Sequence, residues 1–306
     1  MPATGAVAAK AWAIETTFKT EPASVSNAFG RGTRITSISL KNSLSPLYEI
    51  NAVEAQDLIP MAFEGAFGIE TILTDGALFE PLLGSKSGAG TDLDPYVYTV
   101  ATSMKSITIK TGFTSSSAVG DTLLGCVLTS ARIAIRLNEY AMLTLSGLYA
   151  SKSISTSVPT NATTTAAPYT FIDATFEFPT GTTVGKVQTL ELTIATNANF
   201  IRELNNREPV DVFRKETTYD GRFTVIAENK DFIAYALGGT TTATTPQDTI
   251  TAQTAKLTFT DGTRNLVFEL SGVKFDTLDY AILPNDIIMF DIAFKATSIT
   301  VKEWSA

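Results

Sequence analysis

Histidine is absent from the 306 residues and cysteine occurs once, at Cys126. Without histidine, the commonest general base and the commonest metal ligand are both missing. One cysteine excludes an intrachain disulfide and a thiolate zinc cluster, and its GCVL setting reads as a small buried apolar residue. No apolar run reaches the roughly 18 residues that a spanning helix needs. There is no basic arm either. The net charge is −8, the deficit is shared by both halves, and gripping nucleic acid requires clustered Lys and Arg that displace counterions. A phosphate-binding loop, a dinucleotide fingerprint, a metal-binding carboxylate loop and a Ser-centred elbow are all missing. Glu15 interrupts the N-terminal apolar stretch before a signal-peptide core forms. These absences lead us to expect a soluble chain made in the cytoplasm, with no catalytic residue, no cofactor, no metal and no membrane span.

What the chain does contain, it contains twice. Phe63 to Gly84 (FEGAFGIETILTDGALFEPLLG) has a second version at Tyr219 to Gly238 (YDGRFTVIAENKDFIAYALG). An aromatic-acidic-Gly triplet opens each, and alternate residues are then apolar: Phe67, Ile69 and Leu73 in one, Phe223, Val225 and Ala227 in the other. Period two predicts a half-buried strand. A short helix follows in each, Asp75 to Leu83 and Asn229 to Leu237, with Asp75 and Asn229 as N-caps and Gly84 and Gly238 as stops. Pro81 predicts that the first helix is kinked or very short.

The correspondence extends outward. ITSISL (Ile35, Ile38, Leu40) matches VQTLEL (Val187, Leu190, Leu192), and a connection of about twenty residues follows each, long enough to expect a function such as contact with a neighbour. Beyond the helices, Gly125 matches Gly272, and Leu143 and Leu145 match Phe290 and Ile292. Asp261-Gly262 marks a hairpin turn. The expected fold is mainly β: two tandem antiparallel sandwich or barrel domains, each with one short helix. The expected organisation is an N-terminal arm (1–32, with a strand at Trp12 to Phe18), a first β domain (33–150), a Ser/Thr-rich linker (151–183) that builds no core, and a second β domain with a C-terminal tail (184–306).

Three candidate sites yield to plainer readings. Asp92 and Asp94 in TDLDPY read as a solvated turn before a calcium site. Asn161-Ala162-Thr163 matches a glycosylation acceptor by chance. Glu64 and Asp220 could form a glycosidase pair, but equivalent positions of a repeat serve one structural role in two modules.

The order of strand, long loop, FEGAF-type strand, helix ending in LLG, ITIKTGF hairpin, GCVL and a closing ML-L strand resembles the tail tube proteins of tailed bacterial and archaeal viruses. The likeness spans residues 33–149 well and 184–296 more loosely. It implies a structural virion protein, assembled in the host cytoplasm, whose subunits stack as rings around the channel that delivers the genome. Its partners would be itself, other tail proteins, and a viral genome passing without sequence-specific binding. The doubling departs from family members with one module per chain, so the ring is expected to be a homotrimer with pseudo-sixfold symmetry, a homohexamer being the alternative. On that reading the out-of-phase residues Glu64, Glu70, Asp220 and Glu228 are candidates to line the lumen, Glu64 and Asp220 alternating around it as an acidic ring; the alternative is that this strand lies on the outer sheet and its carboxylates are ordinary solvated groups. Another tail or capsid accessory part, a contractile-injection tube, or a non-viral β-sandwich for binding or adhesion remain the other readings.

Overall fold

The computed structural model describes residues 9–50, 53–114, 117–282, 284 and 287–305. The first half comprises β1 (Ala9–Ile14), β2 (Arg31–Lys41), β3 (Leu44–Leu47), β4 (Asp57–Pro60), β5 (Glu64–Ile72), α1 (Phe79–Leu83), β6 (Gly84–Ser87), β7 (Tyr96–Val100), β8 (Ile107–Thr114), β9 (Ala118–Arg136), β10 (Met142–Tyr149) and β11 (Ser151–Ser155). The second comprises β12 (Ala174–Glu177), β13 (Val187–Ala195), β14 (Asn199–Ile201), β15 (Asp211–Phe213), β16 (Thr218–Ile226), α2 (Asp231–Gly238), β17 (Gln253–Thr260), β18 (Arg264–Asp279), β19 (Met289–Ala296) and β20 (Ser298–Ser305).

The architecture is mainly β, and every ladder between these strands is antiparallel. Its spine is a run of eight strands in the order β2-β5-β10-β9-β13-β16-β19-β18. The first four come from one half and the last four from the other, joined where β9 pairs with β13 (Arg132 opposite Thr193, Ile133 opposite Leu192). Alternation decides which face of the spine is covered. Phe67, Ile69, Leu145, Ile133, Leu192, Phe223 and Ile292 are all buried on one side, in a single hydrophobic core that runs through both halves.

Two long strands turn from the spine into flanking layers. Residues 118–126 of β9 pair with β8 and β11, and β1 adds to β8. The first part of β18 pairs with β17 and β20, which extend to β12 and to β7 and β6. Both turns use a left-handed glycine, Gly125 (φ 61°) and Gly272 (φ 66°), followed by a bulge, at Thr129 between Leu128 and Ser130 and at Asp276 between Phe275 and Thr277. A bulge inserts one unpaired residue and bends the strand. A Cβ on Gly272 would sit 2.1 Å from Thr297 Oγ1, so the corner admits no side chain.

Several local expectations are corrected. Helix α1 begins at Phe79, not Asp75, because the Asp75 carboxylate accepts the Ala77 N–H (3.1 Å) in a turn two residues long. Pro81 therefore falls in the first turn, where its missing N–H would have no partner anyway. The helix is short, and Gly84 caps it with φ 98°. Asn229 likewise accepts the Asp231 N–H, α2 runs Asp231–Gly238, and its left-handed stop is Gly239 rather than Gly238. The arm strand is Ala9–Ile14, shorter and earlier than Trp12 to Phe18. The Ser/Thr-rich stretch contributes β11 and β12 and buries Tyr169, Phe176 and Phe178 in the core.

Candidate assembly surface

The face of the spine turned away from the core is polar. Its residues are small or charged: Ala66, Gly68, Thr144, Ser146, Ser130, Thr193, Thr224 and Ala293 stand between acids and bases. Three of the four expected lumen residues lie here. Glu64 and Glu70 are on β5 and Asp220 is on β16, whereas Glu228 lies two residues past the end of β16.

Three of the four have an ion-pair partner. Glu64 pairs with Lys41 (3.0 Å), Glu70 approaches Arg34 (4.0 Å) and Glu228 pairs with Lys186, whereas Asp220 sits in register opposite Lys295, whose ammonium pairs with Asp276 (3.1 Å). Arg132 reaches Glu191 across the junction of the halves (2.5 Å), and Arg222 forms a forked pair with Asp291. The carboxylates of this face thus stand among crossed ion pairs. The sequence hid this because the compensating cations come from neighbouring strands, tens of residues away in the chain. Such exposed pairs contribute little stability. They neutralise Lys41, Arg34, Arg132, Arg222 and Lys186, whereas among the described residues Arg136 and Lys274 stand exposed on this face without an ion pair.

The spine ends in two edges. β2 pairs with β5 alone, and beyond Val273 β18 pairs with β19 alone, so among the described residues no strand covers the other side of Arg34 to Lys41 or of Lys274 to Asp279. Unpaired edges offer rows of N–H and C=O groups and are a liability unless another chain covers them.

The two long connections form exposed hairpins with different fates. β14 and β15 fold back on the first half: Arg202 donates to the Phe63 carbonyl (2.7 Å), Arg207 to Met61 (3.0 Å) and to Asn42 Oδ1 (3.1 Å), and Phe63 N–H donates to the Arg207 carbonyl. Lys19 bridges to Glu208 (2.7 Å), whose carboxyl burial would push up but which Lys19 and Ser151 hold below its ordinary value. β3 and β4 pair only with each other and expose Leu44, Leu47, Tyr48, Leu58, Ile59 and Met61. An apolar cluster of that kind marks a contact surface.

A buried carboxylate fixes the arm. Glu15 accepts hydrogen bonds from Ser106 Oγ (2.6 Å), Thr108 Oγ1 (2.9 Å) and the backbone N–H groups of Gly125 (2.9 Å) and Lys19 (3.0 Å). At the other end of the chain, Glu303 accepts from Tyr98 OH (2.7 Å) and Gly76 N–H (3.0 Å), and burial pushes its carboxyl above the usual value. Asp92 and Asp94 lie in a turn closed by backbone bonds to Thr91, and among the described residues no cluster of acidic, Cys or His side chains could hold a metal.

A polar sheet face, open edges at both ends of one sheet and an exposed apolar hairpin define a structural building block. Residues 5–296 match the family model described as phage tail tube protein, and the chain belongs to that family. It is a structural protein of the virion tail, and its family assembles with copies of itself and with other tail proteins. No curated protein matches the chain. Among the described residues no helix is long and apolar enough to cross a membrane.

Proposed function

We propose that this chain is a duplicated tail-tube module that closes into rings, and that the stacked rings form the channel for genome delivery. The observation that carries the proposal is the spine itself, which uses the same strand order twice and repeats its irregularities. The bulge at Thr36 in β2 recurs at Gln188 in β13, and the corner at Gly125 recurs at Gly272. The halves continue one sheet through β9 and β13, which favours three chains per ring with pseudo-sixfold symmetry over six chains with the second half outside. A second half turned outward as decoration would have no reason to extend the first half's sheet.

The polar face lines the lumen on this reading. A passing duplex is held by free Lys and Arg that displace its counterions. Here most cations of the face are paired, Arg136 and Lys274 being the exceptions among the described residues, so small side chains and crossed ion pairs, more than an acidic ring, would let the genome slide. The apolar β3–β4 hairpin, projecting from the sheet, is suited to contact the adjacent ring. Electron microscopy of the purified protein tests the proposal. Hollow rings or tubes with three chains per ring are the expected result, strict sixfold symmetry with one half outside overturns the three-chain version, and compact monomers at assembly concentrations overturn the tube.

A further inference from the structure

The internal junction between β9 and β13 is a template for a junction that a single chain leaves open. Bulge and glycine positions fix the equivalences: Thr129 with Asp276 and Gly125 with Gly272 align β9 on β18, and Thr36 with Gln188 aligns β2 on β13. Each alignment is set by backbone irregularities, so it does not depend on side-chain similarity. Transferring the observed β9·β13 register to the two free edges gives one pairing. Arg132 opposite Thr193 becomes Asp279 opposite Lys41, Ile133 opposite Leu192 becomes Tyr280 opposite Leu40, and Ile135 opposite Leu190 becomes Ile282 opposite Ile38.

We propose that the β2 edge of one chain adds antiparallel to the β18 edge of a second copy, in the register Lys41 opposite Asp279 and Leu40 opposite Tyr280. This rests on the ring reading above and specifies the residues of its seam.

Both faces of the transferred register are complementary, although side-chain chemistry was not used to obtain it. On the polar face it sets a cation against a carboxylate. On the core face it sets Leu40, 52% exposed, against Tyr280, 50% exposed, and the half-buried Ile38 against Ile282, 73% exposed. At the internal junction the equivalents Ile133, Leu192, Ile135 and Leu190 are all buried. The seam therefore removes from water apolar groups that the lone chain leaves exposed on its two ends. A slip of one residue would turn Leu40 toward the polar face and lose both matches, because side chains alternate. Docking also extends β18 through Tyr280 to Ile282, as β9 extends to Arg136.

Crosslinking tests the register directly. The full-length double variant Lys41→Cys with Asp279→Cys, oxidised after assembly, is expected to give intermolecular disulfides that run as a ladder ending at the ring size. The control Lys41→Cys with Thr277→Cys, displaced by two residues, is expected not to. Cys126 is completely buried and does not compete. Both engineered positions are exposed, and circular dichroism of each variant verifies that its subunit is folded. Charge exchange supplies a second readout. Lys41→Asp and Asp279→Lys each raise the concentration needed for assembly, by about tenfold or more, since like charges then meet at the seam, and combining them restores it. Rings that form without the 41–279 crosslink, or that crosslink 41 to 277, overturn this seam and leave the tube standing. A native protein that forms no rings, with no crosslink in either variant, overturns the tube and the seam with it.

Discussion

Replacing Glu15 by Gln should cost the protein about 2–4 kcal/mol, from the two orphaned and weakened interactions described next. The carboxylate is buried and serves four donors, two on each oxygen: Ser106 Oγ and Lys19 N–H on Oε2, Thr108 Oγ1 and Gly125 N–H on Oε1. Glutamine is nearly the same size but turns one acceptor oxygen into a donor. Whichever way the amide is placed, its NH2 faces one backbone N–H, and only the neighbouring hydroxyl can rotate to accept. One buried backbone donor is therefore left unsatisfied, at ~1–3 kcal/mol, and the remaining bonds lose their charge assistance, worth roughly another 1 kcal/mol. For a chain of this size about 2 °C of melting temperature corresponds to each kcal/mol, so a fall of roughly 4–8 °C is expected. Because the site is buried, the loss should persist at high salt, unlike that of a surface ion pair. Hydrogen exchange adds a local measure: the Gly125 or Lys19 amide should lose protection before the spine strands do, and Ala9–Ile14 should become accessible to protease. A Gln variant within about 0.5 kcal/mol of the parent, with both amides still protected, refutes the claim that this carboxylate holds the arm, since that is the size of an ordinary surface substitution.

Three further outcomes are expected. A methyl group at Gly221 would lie 1.9 Å from the Phe294 ring, so Gly221→Ala should destabilise by ~1–3 kcal/mol, and a double-mutant cycle with Phe294→Leu should show that most of this is coupling between the two. Burial raises the Glu303 carboxyl above 4.5, Gly76 and Tyr98 hydrogen bonds hold it back and Asp75 adds to the rise. The folded chain then binds that proton more tightly than the unfolded one, so the contribution is fully present below the ordinary value and is lost as pH rises through the raised one. Glu303→Gln should flatten this component of the stability–pH profile in denaturant titrations, and an unchanged profile would exclude it. Glu64→Lys with Asp220→Lys should leave isolated subunits folded while placing unpaired lysines beside Lys41 and Lys295; virions carrying the double variant should deliver their genome more slowly, and a normal rate would remove this face from the lumen.

Alternation made the spine legible where one face is apolar and the other is not. Phe67 and Ile69, and Phe223 and Val225, are buried as their spacing predicts. The Asp261-Gly262 turn is a hairpin in which the Asp261 carboxylate accepts the N–H groups of Thr263 and Arg264. Composition misled at residues 151–183, because two strands of that stretch need only a few apolar groups when long strands are available to pair with. The helix starts misled for a related reason: Asp75 and Asn229 close turns with the same side-chain chemistry that closes helices. The charge pattern of the polar face was illegible because it depends on which strands are neighbours. Repeat spacing also conceals one difference between the halves. Aligned on their bulges, β5 with β16 and β9 with β18 are offset so that Phe67 faces Gly147 in one half while Phe223 faces Ile292 in the other, a relative slip of two residues. Two residues preserve the face of every side chain, so the slip leaves no trace in the hydrophobic pattern.

The two junctions along the proposed ring would use one backbone register with opposite charge polarity. Inside the chain the cation belongs to β9 and the carboxylate to β13, as Arg132 and Glu191. At the proposed seam the carboxylate would belong to β18 and the cation to β2, as Asp279 and Lys41. Were β2 of another copy to displace β13 from β9, Lys41 would meet Arg132, and were β13 to reach β18, Asp279 would stand beside Thr193 with Glu191 one pleat away. Both exchanges juxtapose like charges. The proposed duplicated module would face this problem by construction, since each edge would meet two strands of nearly the same shape, and strand exchange between copies would give branched or swapped assemblies in place of closed rings. Discrimination between partners so alike in backbone comes from repulsion in the wrong pairings as much as from attraction in the right ones. Covalent linkage secures the internal junction through its high effective concentration. The reversed polarity of the proposed seam would keep the remaining edges for each other.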